Sequence, residues 1–459
     1  MKEPNQIRIT GGRLIDPVND IDEIGDLYIA DGVIQGLGKI PDGFDAELTI
    51  DASSQIVCPG LIDLSARLRE PGQEHKATLK SETKAAACGG ITTLCCPPDT
   101  HPVIDTPAMA TLVRKRAQRI GTTRVLPVGA LTQGLQGEQL SEMDTLHRAG
   151  CTVFSNAELP LANTLVERRV LEYAATFGIT VLLRPEDRHL RDQGCAHEGP
   201  VASRLGLPGI PEAAETVAVA RDLALAEQTG CRIHFRGLSS GTAVRMLGQA
   251  QQNRLPVSAD VTAHHLHLTE TDLEGFDSNC HVNPPLRSLA DRNALREGIA
   301  MGVISAICSD HQPHEADAKQ APFPSSAPGI SALETLLPLT LRLVDEGVLS
   351  LSAAIALITC GPADILGLPL GRLSVGTSAD ICIFDPAQHW QLLAEKMVSA
   401  GRNSPFVGWE FAGRVTHTLL EGRVVYNAPS GGMIDNEIGN GTDAWLQPAI
   451  RRPETIQCE

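Results

Sequence analysis

Aromatic side chains are scarce: three tryptophans, three tyrosines and nine phenylalanines among 459 residues, or 3%. So thin a supply argues against a platform on which nucleobases stack. No run reaches ~18 uninterrupted apolar residues, so no membrane-crossing helix is expected. The opening residues, Met-Lys-Glu-Pro-Asn-Gln, lack the apolar stretch of a secretory signal, so a reducing, cytoplasmic setting is expected. Positive charge is outnumbered, 38 Lys and Arg against 55 Asp and Glu, a formal charge of −17. Nucleic acids and anionic membranes attract clustered positive charge, so neither is an expected partner. The twelve cysteines form no Cys-x-x-Cys pair and are scattered from Cys58 to Cys458. Cys95 and Cys96 are adjacent, and neighbours on a strand point to opposite faces, so they cannot readily share a metal. Free thiols, buried or at the surface, are expected. Phosphate loops, dinucleotide fingerprints and the Gly-x-Ser-x-Gly elbow are absent too, so Ser239-Ser240-Gly241 is not read as a nucleophile site.

What is present is ordinary for a protein with a core: 42% apolar and 20% charged residues. The length allows two or three domains, or one large barrel with an appendage. The first ~55 residues read as short strands (7–10, 13–15, 26–29 and 33–37), with Asp31-Gly32 a type I′ hairpin signal. Beyond Val57 the pattern changes. Strand candidates at 60–64, 92–96, 125–128, 152–154, 180–183, 232–235, 257–261 and 304–307 alternate with amphipathic helices at 76–87, 108–118, 165–177, 210–228 and 243–252. Eight strand-plus-helix repeats over ~250 residues predict an α/β chain with a (β/α)8 barrel. Strands return at 379–384, 415–420 and 424–426, with a turn at 421–423. The expected organisation is therefore a small β-sandwich built from residues 1–56 and 367–426, flanking a barrel at 57–366. Residues 427–459, rich in Gly, Pro, Asn and acids, read as a tail that is disordered or orders on a partner. No internal repeat is evident.

Four stretches carry chemistry. The first runs from Pro59-Gly-Leu-Ile-Asp through Ser65-Ala66-Arg67-Leu68-Arg69 to His75. The others are Cys95-Cys-Pro-Pro-Asp99 with its continuation to Asp105, Val282-Asn-Pro-Pro-Leu-Arg287, and Cys308-Ser-Asp-His-Gln-Pro-His314. Together with 198–211 and 378–386, and over residues 7–426, the chain resembles the bacterial metal-dependent dihydroorotases, cyclic amidohydrolases of the (β/α)8 class. The resemblance implies one or two divalent metals, usually zinc, at the carboxyl mouth of the barrel. A bound hydroxide would attack dihydroorotate while an aspartate shuttles the proton.

Carried over residue by residue, the family's ligands are mostly missing. Its first His-x-His falls on Ser65-Ala66-Arg67, its paired acids on Asn156-Ala157, its next histidine on Arg184 and the following one on Gly237. Of six ligands only Asp310 remains. Serine and asparagine are weak zinc ligands, alanine and glycine are none, and arginine is a permanently charged donor. Arg67 and Arg184 are therefore expected to replace the metal electrostatically and neutralise Asp310. Arg69, Asn283, His314 and the backbone near Gly329 match the family's substrate contacts, whereas Asp99 stands where an asparagine is usual. These groups either satisfy one another as a relic network or, with Arg67 and Arg184, still accept a small anion. His264, His265 and His267 are expected to be structural or to line the pocket, and His311 and His314 to lack an activated water.

The resemblance implies a catalytically inactive homologue without a cofactor, oligomeric, and in partnership with the catalytic subunit of aspartate carbamoyltransferase in pyrimidine synthesis. The rival readings are an altered one-zinc dihydroorotase and a small-anion sensor.

Overall fold

The computed structural model describes residues 4–428 and 432–433. Eight parallel strands run from Leu61–Asp63 through Ile91–Cys96, Arg124–Ala130, Val153–Ser155, Thr180–Leu183, Ile233–Phe235 and Val257–Thr262 to Ala306–Cys308. The third is in two pieces: Arg124–Pro127 pairs with the strand before it and Gly129–Ala130 with the strand after. Most are short and buried along their whole length, because a parallel strand covered on both faces has no solvent side. Closure comes just past the first and last strands. Ala66 and His311 form a parallel bridge, the His311 N–H donates to the Ser65 carbonyl at 3.1 Å and the Arg67 N–H to the His311 carbonyl at 2.9 Å.

The helices Leu79–Cys88, Pro107–Ile120, Thr164–Thr176, Ala213–Thr229 and Gly241–Gln252 lie within a few residues of the positions read from periodicity. Among the helices that escaped that reading, two have ten or more residues. Leu289–Ala300 announces itself only by its capping box, Ser288 with Asp291. Leu336–Asp345 spaces Leu337, Leu339, Leu341 and Leu343 two apart, a strand-like period, and carries Pro338 in its first turn.

Both chain ends join one hydrogen-bonded path. Gln6–Asp16, Ile21–Ala30 and Val33–Leu37 connect through Ile56–Pro59 to Ile381–Gln391, Glu410–Leu420 and Arg423–Asn427. A separate apolar core unites them, with Ile7, Ile9, Leu27 and Ile29 packed with Leu373, Ile381, Ile383 and Leu419. Residues 7–10 and 13–15, read as two strands, are one. Gly11 at φ +68° and Gly12 form a bulge that interrupts the apolar alternation without ending the strand. Asp31 and Gly32 both have positive φ, 51° and 78°, as the type I′ turn requires. Arg124, from a barrel strand, donates to Asp380 at 2.6 Å and to Glu421 at 2.9 Å, tying barrel to sheet.

Ordered structure runs past residue 426, because Gly432–Met433 pairs with Tyr426 and Asn427. The rest of the expected tail, 429–431 and 434–459, lies outside the described residues. Cys95 faces the core that also holds Ile62 and Cys308, and Cys96 faces the larger one, the opposite orientation expected of strand neighbours.

Candidate functional site

The carboxyl ends of the barrel strands converge on Asp310, which is buried and follows Ala306–Cys308 at φ +43°. Ser65 and Arg67 lie beyond the first strand and turn inward, while Ala66 between them packs into the core. Ser65 donates to Asp310 Oδ1 at 3.0 Å, and Arg67 reaches the same oxygen at 3.4 Å. Gln312 donates to the other carboxylate oxygen at 3.0 Å. Arg67 also donates to Asp99 at 2.7 Å and to Glu158 Oε1 at 2.8 Å, while Arg184 pairs with Glu158 Oε2. Arg236 donates to Ser65 Oγ at 2.6 Å and stands 3.7 Å from Asp310.

Three guanidinium groups thus interleave with three carboxylates. Burial pushes the Asp310 and Glu158 carboxyls up. The neighbouring arginines outweigh it, Arg67 and Arg236 at Asp310 and Arg184 and Arg67 at Glu158, and both settle below the usual carboxylate range. Arg67 in turn is held firmly charged, its desolvation countered by Asp99, Glu158 and Asp310.

One expectation needs correction. Arg184 acts on Asp310 through its charge, which lowers that carboxyl, and makes no direct pair with it. Its carboxylate is Glu158, and the second cation beside Asp310 is Arg236. Sequence reasoning passed over both Glu158 and Arg236. Each lies one residue from a family ligand position, Glu158 after Asn156-Ala157 and Arg236 before Gly237. Charge at neighbouring positions was the available signal.

The remaining predicted positions are structural pegs. Asn156 accepts from Thr132 at 2.8 Å and donates to the Leu135 and Leu159 carbonyls. Ala157 has φ +53°, no polar side-chain atom, and donates its N–H to Ser155 Oγ at 3.1 Å. Gly237, at φ +61°, donates its N–H to Asp260 at 2.6 Å. Asp99 is engaged by Arg67. Arg69 donates to the Pro313 carbonyl at 3.0 Å and to Gln73 at 3.2 Å, and approaches His314 at 3.2 Å. Burial and nearby Arg67 lower its guanidinium to about 10. His314 is wedged among Arg69, Lys76 and the Pro328 carbonyl, where burial and those cations push it down to about 3. Gly329, at φ +121°, donates to the His281 carbonyl, and Asn283 Oδ1 is buried without a hydrogen-bond partner. Arg67 is matched by three carboxylates and Arg184 by Glu158 alone, with Arg184 Nε and Nη2 buried without a hydrogen-bond partner.

Nor do the histidines converge. His265 contacts Thr262 at 2.6 Å, His267 the Leu339 carbonyl at 2.9 Å, and His311 the Glu82 carboxylate at 2.8 Å. Ser239 and Ser240 both donate to glutamates, Glu215 and Glu212 respectively. Among the described residues no group of three or more His, Cys, Asp or Glu is placed to hold a metal. The donor set at the mouth does not fit a divalent cation. Each carboxylate is already engaged by fixed positive charge, and the arginines offer no lone pair.

The Dihydro-orotase-like family matches residues 54–242 and the Amidohydrolase family residues 205–426. A dihydroorotase-like protein of Pseudomonas aeruginosa is 52% identical over 420 residues, covering 92% of this chain and 99% of its own. A protein of the same description from Pseudomonas putida is 48% identical with the same coverage, and a dihydroorotase of Geobacter sp. (strain M21) is 44% identical over 423 residues, 92% of this chain and 99% of its own. In fold, the L-hydantoinase of Arthrobacter aurescens superposes with a TM-score of 0.83 at 24% identity, covering 92% of this chain and 96% of that one. With barrel, flanking sheet and near-full-length relatives in agreement, the chain belongs to the dihydroorotase-like family of the amidohydrolase superfamily.

Proposed function

We propose that the chain is a non-catalytic dihydroorotase-like subunit of the cytoplasm that supports the assembly of aspartate carbamoyltransferase in pyrimidine synthesis. One observation carries the loss of catalysis: Arg67, Arg184 and Arg236 occupy the barrel mouth with Asp99, Glu158 and Asp310. Hydrolysis of a cyclic amide in this superfamily draws on a divalent metal, which acidifies bound water and polarises the carbonyl. The side chains here bind one another instead. Asp310 accepts from Ser65, Arg67 and Gln312, and the neighbouring arginines hold it below the usual carboxylate range, which makes it a poor proton acceptor. A divalent ion entering this site has to displace guanidinium groups from Asp99, Glu158 and Asp310, since each of these carboxylates already has an arginine within 4 Å.

The assembly role rests on kinship. The two Pseudomonas relatives carry the description dihydroorotase-like protein. The Geobacter relative, described as dihydroorotase, favours the rival in which hydrolysis persists. Elemental analysis of the purified chain, a dihydroorotate hydrolysis assay and co-purification with the cognate aspartate carbamoyltransferase catalytic subunit decide between them. The expected results are no stoichiometric zinc, no turnover above background and one common complex. Bound zinc with turnover abolished by Asp310→Asn overturns the non-catalytic reading, and two separately migrating species overturn the assembly role.

A further inference from the structure

A cavity of about 400 Å3 opens between the first turn of helix Leu336–Asp345, the end of helix Leu79–Cys88 and the strands Ile381–Gln391 and Glu410–Leu420. It shares no residue with the barrel-mouth network, and its volume lies within the range of small-molecule sites. Its wall is built to order. Gly413 sits at φ +84°, and a Cβ there would come within 2.4 Å of Leu341, so only glycine lets helix and strand approach this closely. The Gly413 carbonyl accepts the Trp390 indole N–H at 3.1 Å, which fixes the ring beside Phe411, whose centroid is 5.5 Å away.

The lining combines three kinds of surface. Trp390, Leu337 and Leu392 are apolar. Arg414 and Lys396 are cationic, and among the described residues neither pairs with a carboxylate. Arg414 sits over the Trp390 ring, its Cζ 5.8 Å from the centroid. Glu334 contributes a carboxyl whose Oε1 accepts the Val398 and Ser399 amides at 2.9 and 3.1 Å, leaving Oε2 free of those bonds. Burial pushes that carboxyl up to about 7, so near neutrality it both donates and accepts. Both cations are exposed at the cavity rim and, among the described residues, free of carboxylate partners, in a chain of net charge −17.

We propose that this cavity binds a small aromatic anion, its ring against Trp390, its carboxylate or phosphate held by Arg414 and Lys396, and a polar ring edge at Glu334. A planar ring gains from contact with the indole, and the anion gains charge-assisted hydrogen bonds.

The test titrates the full chain with three probes sharing one ring: 2-naphthoate, 2-naphthyl phosphate and naphthalene-2-carboxamide. Tryptophan fluorescence and calorimetry give the readout. Saturable one-to-one binding of at least one anion is expected, about tenfold or more tighter than the amide, a difference of about 1.4 kcal/mol. Arg414→Gln should weaken the anion by a similar factor, and Leu337→Trp, which fills the cavity, should abolish binding. Because Leu337 is buried and its variant risks misfolding, the surface variant Lys396→Gln provides an independent check. Preference for phosphate or carboxylate identifies the head group. No saturable binding, equal binding of the neutral amide, or anion binding unaffected by Arg414→Gln and Lys396→Gln overturns the proposal.

Discussion

Arg236 donates to the hydroxyl of Ser65 at 2.6 Å, across the barrel mouth from one strand end to another. Ser65 in turn donates its hydroxyl hydrogen bond to Asp310 at 3.0 Å, so the hydroxyl bridges a cation and a carboxylate. Removing Arg236 as Arg236→Met deprives a buried serine of its donor and Asp310 of a nearby charge. A loss of about 1–3 kcal/mol is expected in urea denaturation. The double variant with Asp310→Asn should recover part of it, and additive losses would mean that the two groups do not communicate.

Arg67 touches three carboxylates, Asp99, Glu158 and Asp310, and only 5% of its side chain is exposed. Arg67→Met leaves those charges underpaired. The expected cost is about 3–5 kcal/mol, larger than for Arg236→Met, measured in the same way. A smaller loss than at Arg236 would refute the central position assigned to Arg67.

Acid should weaken the fold through its histidines. Burial lowers His264 and His314 to about 3 and His267 and His281 to about 4, so they are neutral when folded and take protons when unfolded. Their contribution is complete above the unfolded value of about 6.5 and is lost as pH falls toward 4. Asp63 works in the opposite sense. Burial raises it to about 7, so its contribution is complete below about 4 and is lost as pH rises to 7. Asp63→Asn removes that opposing slope. Urea midpoints of this variant should climb more steeply between pH 4 and 7 than those of the unaltered chain, and parallel curves would contradict the assignment.

Gly413→Ala should destabilise by about 1–3 kcal/mol, because the added methyl meets Leu341 and the backbone is left-handed. Thermal denaturation is the readout, and an unchanged midpoint would show that the helix yields freely.

The alternation of short apolar runs with amphipathic helices was legible because a parallel barrel writes both periods into the chain. Strand Thr180–Leu183 was read to the residue, since buried Val and Leu end abruptly at Arg184. Helix Leu336–Asp345 was not legible, because Leu337, Leu339, Leu341 and Leu343 alternate as in a strand and Pro338 sits in the first turn. At the site, the absence of ligands at Arg184 and Gly237 could be read from residue type alone. The pairing of charges could not, since which guanidinium meets which carboxylate depends on side-chain reach across strands. Arg184 meeting Glu158 rather than Asp310 is a fact of the third dimension.

The joint between Ala66 and His311 has a consequence for how such a chain ages. It is sewn by main-chain hydrogen bonds and by a histidine anchored to Glu82. None of those stitches requires a metal ion or a particular side chain at positions 65 and 67. The rim can therefore trade its chemistry, residue by residue, while the cylinder beneath stays shut.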